Sequence, residues 1–207
     1  LGIAHAAVGK HRVRQSPAGT HRHDRRETAP RAAEAPEPAE QQAARNSLNL
    51  LRADGTNAAI AKQLSAEDSG VRAEAAKSLA ARSAGDQLAA LLSAAEDKEP
   101  AVAAEVFKAI RVIATAEHVP ALVRLLTSTP DAGVRGEAEN AVVAAAATTE
   151  AGKNAAEPVL AALSGAGSAE VRASLLRVLG RIAHASALPV LYQAAQDTDA
   201  GVKDAAI

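Results

Sequence analysis

One short pattern returns five times along the chain and sets its period. It reads Asp68-Ser-Gly-Val71-Arg72, Glu99-Pro-Ala-Val102-Ala103, Asp131-Ala-Gly-Val134-Arg135, Ser168-Ala-Glu-Val171-Arg172 and Asp199-Ala-Gly-Val202-Lys203. The valines lie 31, 32, 37 and 31 residues apart. Such a period holds two helices of about a dozen residues each and two short turns. A unit that small cannot bury its own apolar face, so the repeat demands stacked neighbours. The longest spacing contains the Thr148–Asn154 stretch, which is expected to be a surface loop.

Each part of the pattern has a local physical task. Asp68, Asp131, Ser168 and Asp199 stand three residues before their valines. That is the spacing of an N-cap, whose side-chain oxygen accepts from a free amide of the first helical turn. In the divergent copy Pro100 follows Glu99, and proline suits a first helical position. With the valine as position zero, apolar residues recur at +4, +8 and +11. The stripes are Val71, Ala75, Leu79; Val102, Val106, Ile110, Ile113; Val134, Ala138, Val142, Ala145; and Val171, Leu175, Leu179, Ile182. This is one face of a second helix, helix B, in each unit. Helix A is announced by Pro120-Ala-Leu122, Pro158-Val-Leu160 and Pro189-Val-Leu191, each expected to place proline at a helix start. Upstream, helical spacing begins near Ala39, and Asp54-Gly55 divides that stretch into two helices. No segment alternates with period two, so no strand is expected.

The Pro-x-Leu start, the Asp-x-x-Val-Arg turn and the small-residue helix B resemble HEAT repeats, in particular the bacterial HEAT-like type also found in phycobilisome lyases. The resemblance runs from about Thr56 to Ile207. It implies an all-α, right-handed α-α superhelix, a solenoid of helix pairs. It also implies that the residues after the valines, Arg72, Arg135, Arg172 and Lys203, bridge to acidic turn residues of a neighbouring repeat. Ala103 breaks that series.

Composition matters because large apolar residues are few. Leu, Ile, Val and Phe together number 42 of 207, while alanine alone numbers 56. In residues 1–45 that scarcity is decisive. Beyond Val13 almost no large apolar residue occurs before the helical pattern, and eight Lys/Arg, four His and four Pro crowd in. This stretch is expected to be a disordered or linker segment. Residues 46–207 are expected to form the repeat array, incomplete at its C-terminal end. The chain begins at Leu1, contains no Met, and stops six residues into the last helix B. It is therefore expected to be a piece of a larger protein.

Several function classes fall away. Without Cys there is no thiol nucleophile or cysteine metal site. One Phe and one Tyr make no stacking platform for bases, and a net charge of -1 does not suit a polyanion binder, so no nucleic acid is expected. No apolar run is long enough to span a membrane. Gly165-Ala-Gly167 lacks the third glycine of a dinucleotide loop. His21-Arg-His23-Asp24, with His5 and His11, has no constrained ligand spacing, so no metal is expected. His184 sits where it suits the C-terminal dipole of a helix. No cofactor and no catalytic residue is expected.

The candidate binding surface lies on helix B. Position +6 reads Lys77, Lys108, Asn140 and Arg177, with Arg111 and Arg181 nearby. Position +3 reads Glu74, Glu105, Glu137 and Ser174. The first two units are expected to pair these charges along the helix. Arg177 and Arg181 have no acid at +3, so a positive patch for an acidic protein partner is expected in the fourth unit. The expected role is a non-enzymatic protein–protein scaffold or adaptor. The alternatives are a HEAT-like lyase acting on a phycobilin-type chromophore, which only the resemblance implies, and a repeat spacer attached to a catalytic or redox domain.

Overall fold

The computed structural model describes residues 38–51, 53–148 and 153–207. The histidine-bearing tract and most of the expected linker segment lie outside the described residues. The described chain is built from eleven α-helices: α1 (Pro38–Leu50), α2 (Thr56–Lys62), α3 (Ser69–Ala81), α4 (Leu88–Ala94), α5 (Pro100–Ile113), α6 (Val119–Ser128), α7 (Ala132–Ala146), α8 (Lys153–Ser164), α9 (Ala169–Ile182), α10 (Leu188–Ala194) and α11 (Ala200–Ala205). No strand occurs among the described residues. The linker boundary expected at residue 45 falls inside α1.

The helices pair as α2–α3, α4–α5, α6–α7 and α8–α9, with α10–α11 opening a fifth unit. Helices B stack in series, α3 on α5, α5 on α7, α7 on α9 and α9 on α11, and α6 packs on α8 in the helix A layer. The fold is thus an all-α solenoid of helix pairs. Short 3-10 turns lead into α4, α6 and α10. The chain enters two of them through left-handed backbone at Ser83 (φ 49°) and Ala183 (φ 55°), positions that favour glycine. The expected break before α2 is Gly55, whose φ of 75° is also left-handed.

Alanine closes the core. Ala75, Ala76, Ala109, Ala138, Ala141 and Ala145 are buried between stacked helices, where a small side chain permits close backbone approach. Alanine also has the highest intrinsic helix propensity. The larger side chains, led by Phe107, Leu79, Ile110, Leu122, Leu126, Leu175 and Leu179, fill the seams and are fully buried. The expected stripe holds at +4 and +8 throughout. It widens to +5 and +7, because helix B touches both its neighbours and its own helix A: Ala76, Phe107 and Leu176 are buried at +5, and Ala109, Ala141 and Val178 at +7.

Three local expectations need correction. Val71 is exposed, because in the first unit no earlier helix B covers it. Pro158 does not start a helix but sits inside α8, which begins five residues earlier at Lys153. There it removes the amide bond to the Asn154 carbonyl and its ring crowds that carbonyl, a cost that a first-turn proline would not carry. For the same reason the Thr148–Asn154 stretch is not all loop: Lys153 and Asn154 are helical.

Candidate functional site

The turn into helix B is built as its residue spacing requires. The carboxylates of Asp68, Asp131 and Asp199 accept from the amides of Val71, Val134 and Val202 at 2.9, 2.8 and 3.0 Å. Ser168 Oγ accepts from Val171 N at 3.2 Å. Glu99 makes no side-chain cap. Its own amide instead donates to Asp97 Oδ1 at 2.9 Å, while Pro100 needs no acceptor.

The residue after the valine reaches out of its own turn. Arg72 donates to Asp97 through Nε (2.6 Å) and Nη2 (2.9 Å), and through Nη1 to the carbonyls of Ala66 and Glu67, both at 2.9 Å. Both side chains of this pair are more than nine-tenths buried. Arg172 donates to Asp197 at 2.6 Å. Each acceptor stands 25 residues beyond its arginine and five residues before the next valine. The arginine of one unit therefore pins the turn of the next. Arg135 keeps only the local half, donating to the carbonyls of Thr129 (3.0 Å) and Pro130 (3.3 Å). Its would-be acid position is Ala166. Lys203 is exposed at the start of the fifth unit.

These pairs set the protonation of their acids. The Arg72 guanidinium holds the Asp97 carboxyl below the ordinary carboxylate range, with the Glu99 amide helping and partial burial opposing. Asp197 is lowered chiefly by the Asp199 amide and then by Arg172. The same logic raises Arg72 and Arg177, each beside a carboxylate.

On the helix B face the first two units behave as their +3/+6 spacing implies. Lys108 Nζ donates to Glu105 at 2.8 Å, and Lys77 lies 3.9 Å from Glu74, which Arg45 of α1 also contacts. The fourth unit does not. Arg177 donates to Glu139 of the preceding unit through Nε (3.1 Å) and Nη2 (2.7 Å), and to Ser174 at 3.0 Å. Arg181 donates to Asn140 at 2.9 Å. The charge expected to be spare on Arg177 is thus neutralised across the seam. Arg111 is exposed and has no ion-pair partner among the described residues.

Other polar groups have structural tasks. Arg82 donates to the carbonyls of Leu48 and Asn49 at 2.9 and 3.2 Å and to Asn57 at 2.7 Å, tying the end of α1 to the array. Asn57 in turn donates to Asp86 at 3.0 Å. His118 Nδ1 accepts from Thr115 N at 3.2 Å in a capping box. His184 does not serve the α9 dipole: its Nδ1 accepts from Ser186 N at 3.2 Å and caps the following turn. Beside α1, an open apolar groove of about 540 Å³ is lined by Leu48, Leu51, Ile60 and Val71 among others.

A gap in this geometry reappears in the family comparison. The profile described as HEAT repeats matches residues 57–143 and 156–207, and skips the stretch around the lengthened repeat. The chain belongs to the HEAT repeat family. Among solved structures, the chain is similar to the crystal structure of an engineered protein from the Northeast Structural Genomics Consortium. Identity is 22%, coverage is 83% of this chain and 89% of that one, and the TM-score is 0.46. No curated protein matches the chain. No helix among the described residues of this HEAT array is long and apolar enough to cross a membrane.

Of the residues singled out in the HEAT turns, the structure joins Arg72 and Arg172 to a neighbouring turn and gives Arg135 and Lys203 no acid among the described residues. Of the helix B cations, it brings each of Lys77, Lys108 and Arg177 to a carboxylate and Arg181 to an amide. The sequence reading missed Asp97, Asp197 and Glu139. The first two carry a signal, since both stand five residues before a repeat valine. Glu139 carries another: it is a charge in a +5 column otherwise filled by Ala76, Phe107 and Leu176.

Proposed function

We propose that the array is a non-enzymatic protein–protein interaction scaffold, with the helix B face as its contact surface. One observation carries this reading. Charged side chains on three of the four full helices B are half exposed yet already paired: Lys77, Lys108 and Arg177 are 49%, 43% and 47% exposed. A side chain ordered before contact loses less entropy on binding. Each further repeat extends the same surface by a constant increment.

The test is affinity capture with the unchanged array and with a combined Lys77→Glu, Lys108→Glu, Arg111→Glu and Arg181→Glu variant. The expected result is a partner set retained by the first and lost by the second, with both equally helical by circular dichroism. Identical partner sets would remove the helix B face from the proposal.

The open groove beside α1 favours a second reading, the chromophore-handling one that the resemblance implies. An unchanged visible spectrum on mixing the protein with a linear tetrapyrrole would end it.

A further inference from the structure

We propose that the turn at Ala103 is a vacant arginine seat, and that it takes an arginine side chain of a partner protein. This rests on the scaffold reading and adds the chemistry of one contact.

The other seams show what the position is shaped to hold. The residue after the repeat valine lies under the carbonyls five and four positions before that valine. Arg72 donates to the carbonyls of Ala66 and Glu67. Arg135 donates to those of Thr129 and Pro130. The corresponding pair in the second unit is Asp97 and Lys98. Ala103 has no side chain to reach them, and no donor among the described residues bonds either carbonyl. On the far wall, the position of the acid that receives Arg72 and Arg172 is occupied by Thr129. Its hydroxyl donates to the Leu125 carbonyl at 2.7 Å and keeps acceptor capacity.

The space is open. A cavity of about 300 Å³ lies there, lined by Asp97, Lys98, Ala103, Thr129, Pro130 and Val134 among others. The groove at the first seam, by contrast, has Arg72 itself in its lining. Glu96 lines both grooves, exposed and with no ion-pair partner among the described residues, with Lys98 also in the lining. Unbonded carbonyls, a hydroxyl oxygen and a free carboxylate are all acceptors. They match the five donors of a guanidinium, which also carries the charge that Glu96 answers. An ammonium makes fewer directed bonds, so lysine is the poorer occupant.

The probe is N-acetyl-arginine amide, titrated into the intact array and followed by amide chemical shifts, with the uncharged citrulline analogue alongside. Shifts are expected at residues 97–103 and 129–134, stronger for arginine than for citrulline. Ala103→Arg supplies the chain's own guanidinium and is expected to weaken probe binding by about tenfold or more, the equivalent of one charge-assisted hydrogen bond. Ala103→Leu fills the same space without charge and is expected to block it as well. Equal shifts from citrulline, or shifts centred elsewhere, overturn the seat, and that comparison needs no variant to fold. Unchanged probe binding in a folded Ala103→Arg protein overturns it too. Captured partners without probe binding would refute the seat alone; probe binding without captured partners would refute the scaffold reading alone.

Discussion

The seam between α3 and α5 and the seam between α5 and α7 each stack one helix B on the next but differ in chemistry. The first is crossed by the buried Arg72–Asp97 pair. The second has Ala103 and Thr129 at the matching positions and no ion pair across it among the described residues, yet Val106, Phe107 and Ile110 of α5 and Ala138, Ala141 and Val142 of α7 are completely buried. The second seam thus has apolar burial and no ion pair among the described residues. The arginine pin acts on a different quantity: it fixes which turn sits against which. That fits the general behaviour of buried ion pairs, whose desolvation cancels much of their attraction while their disruption is costly.

The comparison breaks most readily at Phe107. If burial alone holds the second seam, Phe107→Ala should cost about 3–5 kcal/mol in urea or thermal unfolding. It should also lower the midpoint more than Arg72→Ala does. A smaller effect than that of Arg72→Ala would reverse the ranking of the two seams.

The third seam supplies an intermediate case. Glu139 is buried, while its partner Arg177 reaches solvent. Arg177→Ala leaves a buried carboxylate without its cation and should cost about 1–2 kcal/mol, discounted for the exposed arginine. Glu139→Leu restores the apolar +5 column and frees an arginine that water can solvate, so it should cost little or stabilise. Equal losses from the two variants would contradict this asymmetry.

Acid should separate the first two seams. Asp97 titrates below its ordinary range in the folded chain, so between the folded and unfolded values the unfolded state binds more protons. The stabilisation is fully present above about pH 4 and drains away as the pH falls through the folded value. Asp97→Asn should therefore be less stable than the parent at pH 7, by a difference that shrinks as the pH falls below about 4, as read by thermal melts. A constant difference across that range would exclude the linkage. The smallest effect is expected at the two left-handed turns. Ala183→Gly and Ser83→Gly relieve strain of about 1 kcal/mol, partly offset by glycine's greater unfolded freedom, and should raise the melting point slightly.

Much of the fold was legible because its signals are short-ranged. Asp68, Asp131, Ser168 and Asp199 act on amides three residues away, and Gly55 acts on its own backbone. Pairings along one helix, such as Glu105 with Lys108, were legible for the same reason. Pro158 misled because proline usually marks a first helical turn, whereas α8 carries it in its interior. Val71 misled because its exposure depends on what lies before the first unit. The candidate site was legible as a set of columns, but the state of its charges was not. Arg177 finds Glu139 at a distance of 38 residues, and Arg181 finds Asn140 at 41.

By itself the amino-acid sequence determined the period, the helix caps and the inward stripe of each helix B. These follow from hydrogen bonds and side-chain directions within a turn or two of chain. Only the tertiary structure decided which charges pair, which carbonyls remain unbonded at Ala103 and which core columns flank the stripe. Those depend on the offset and rotation between stacked units, which is set by the packing of many side chains together and is written in no single repeat.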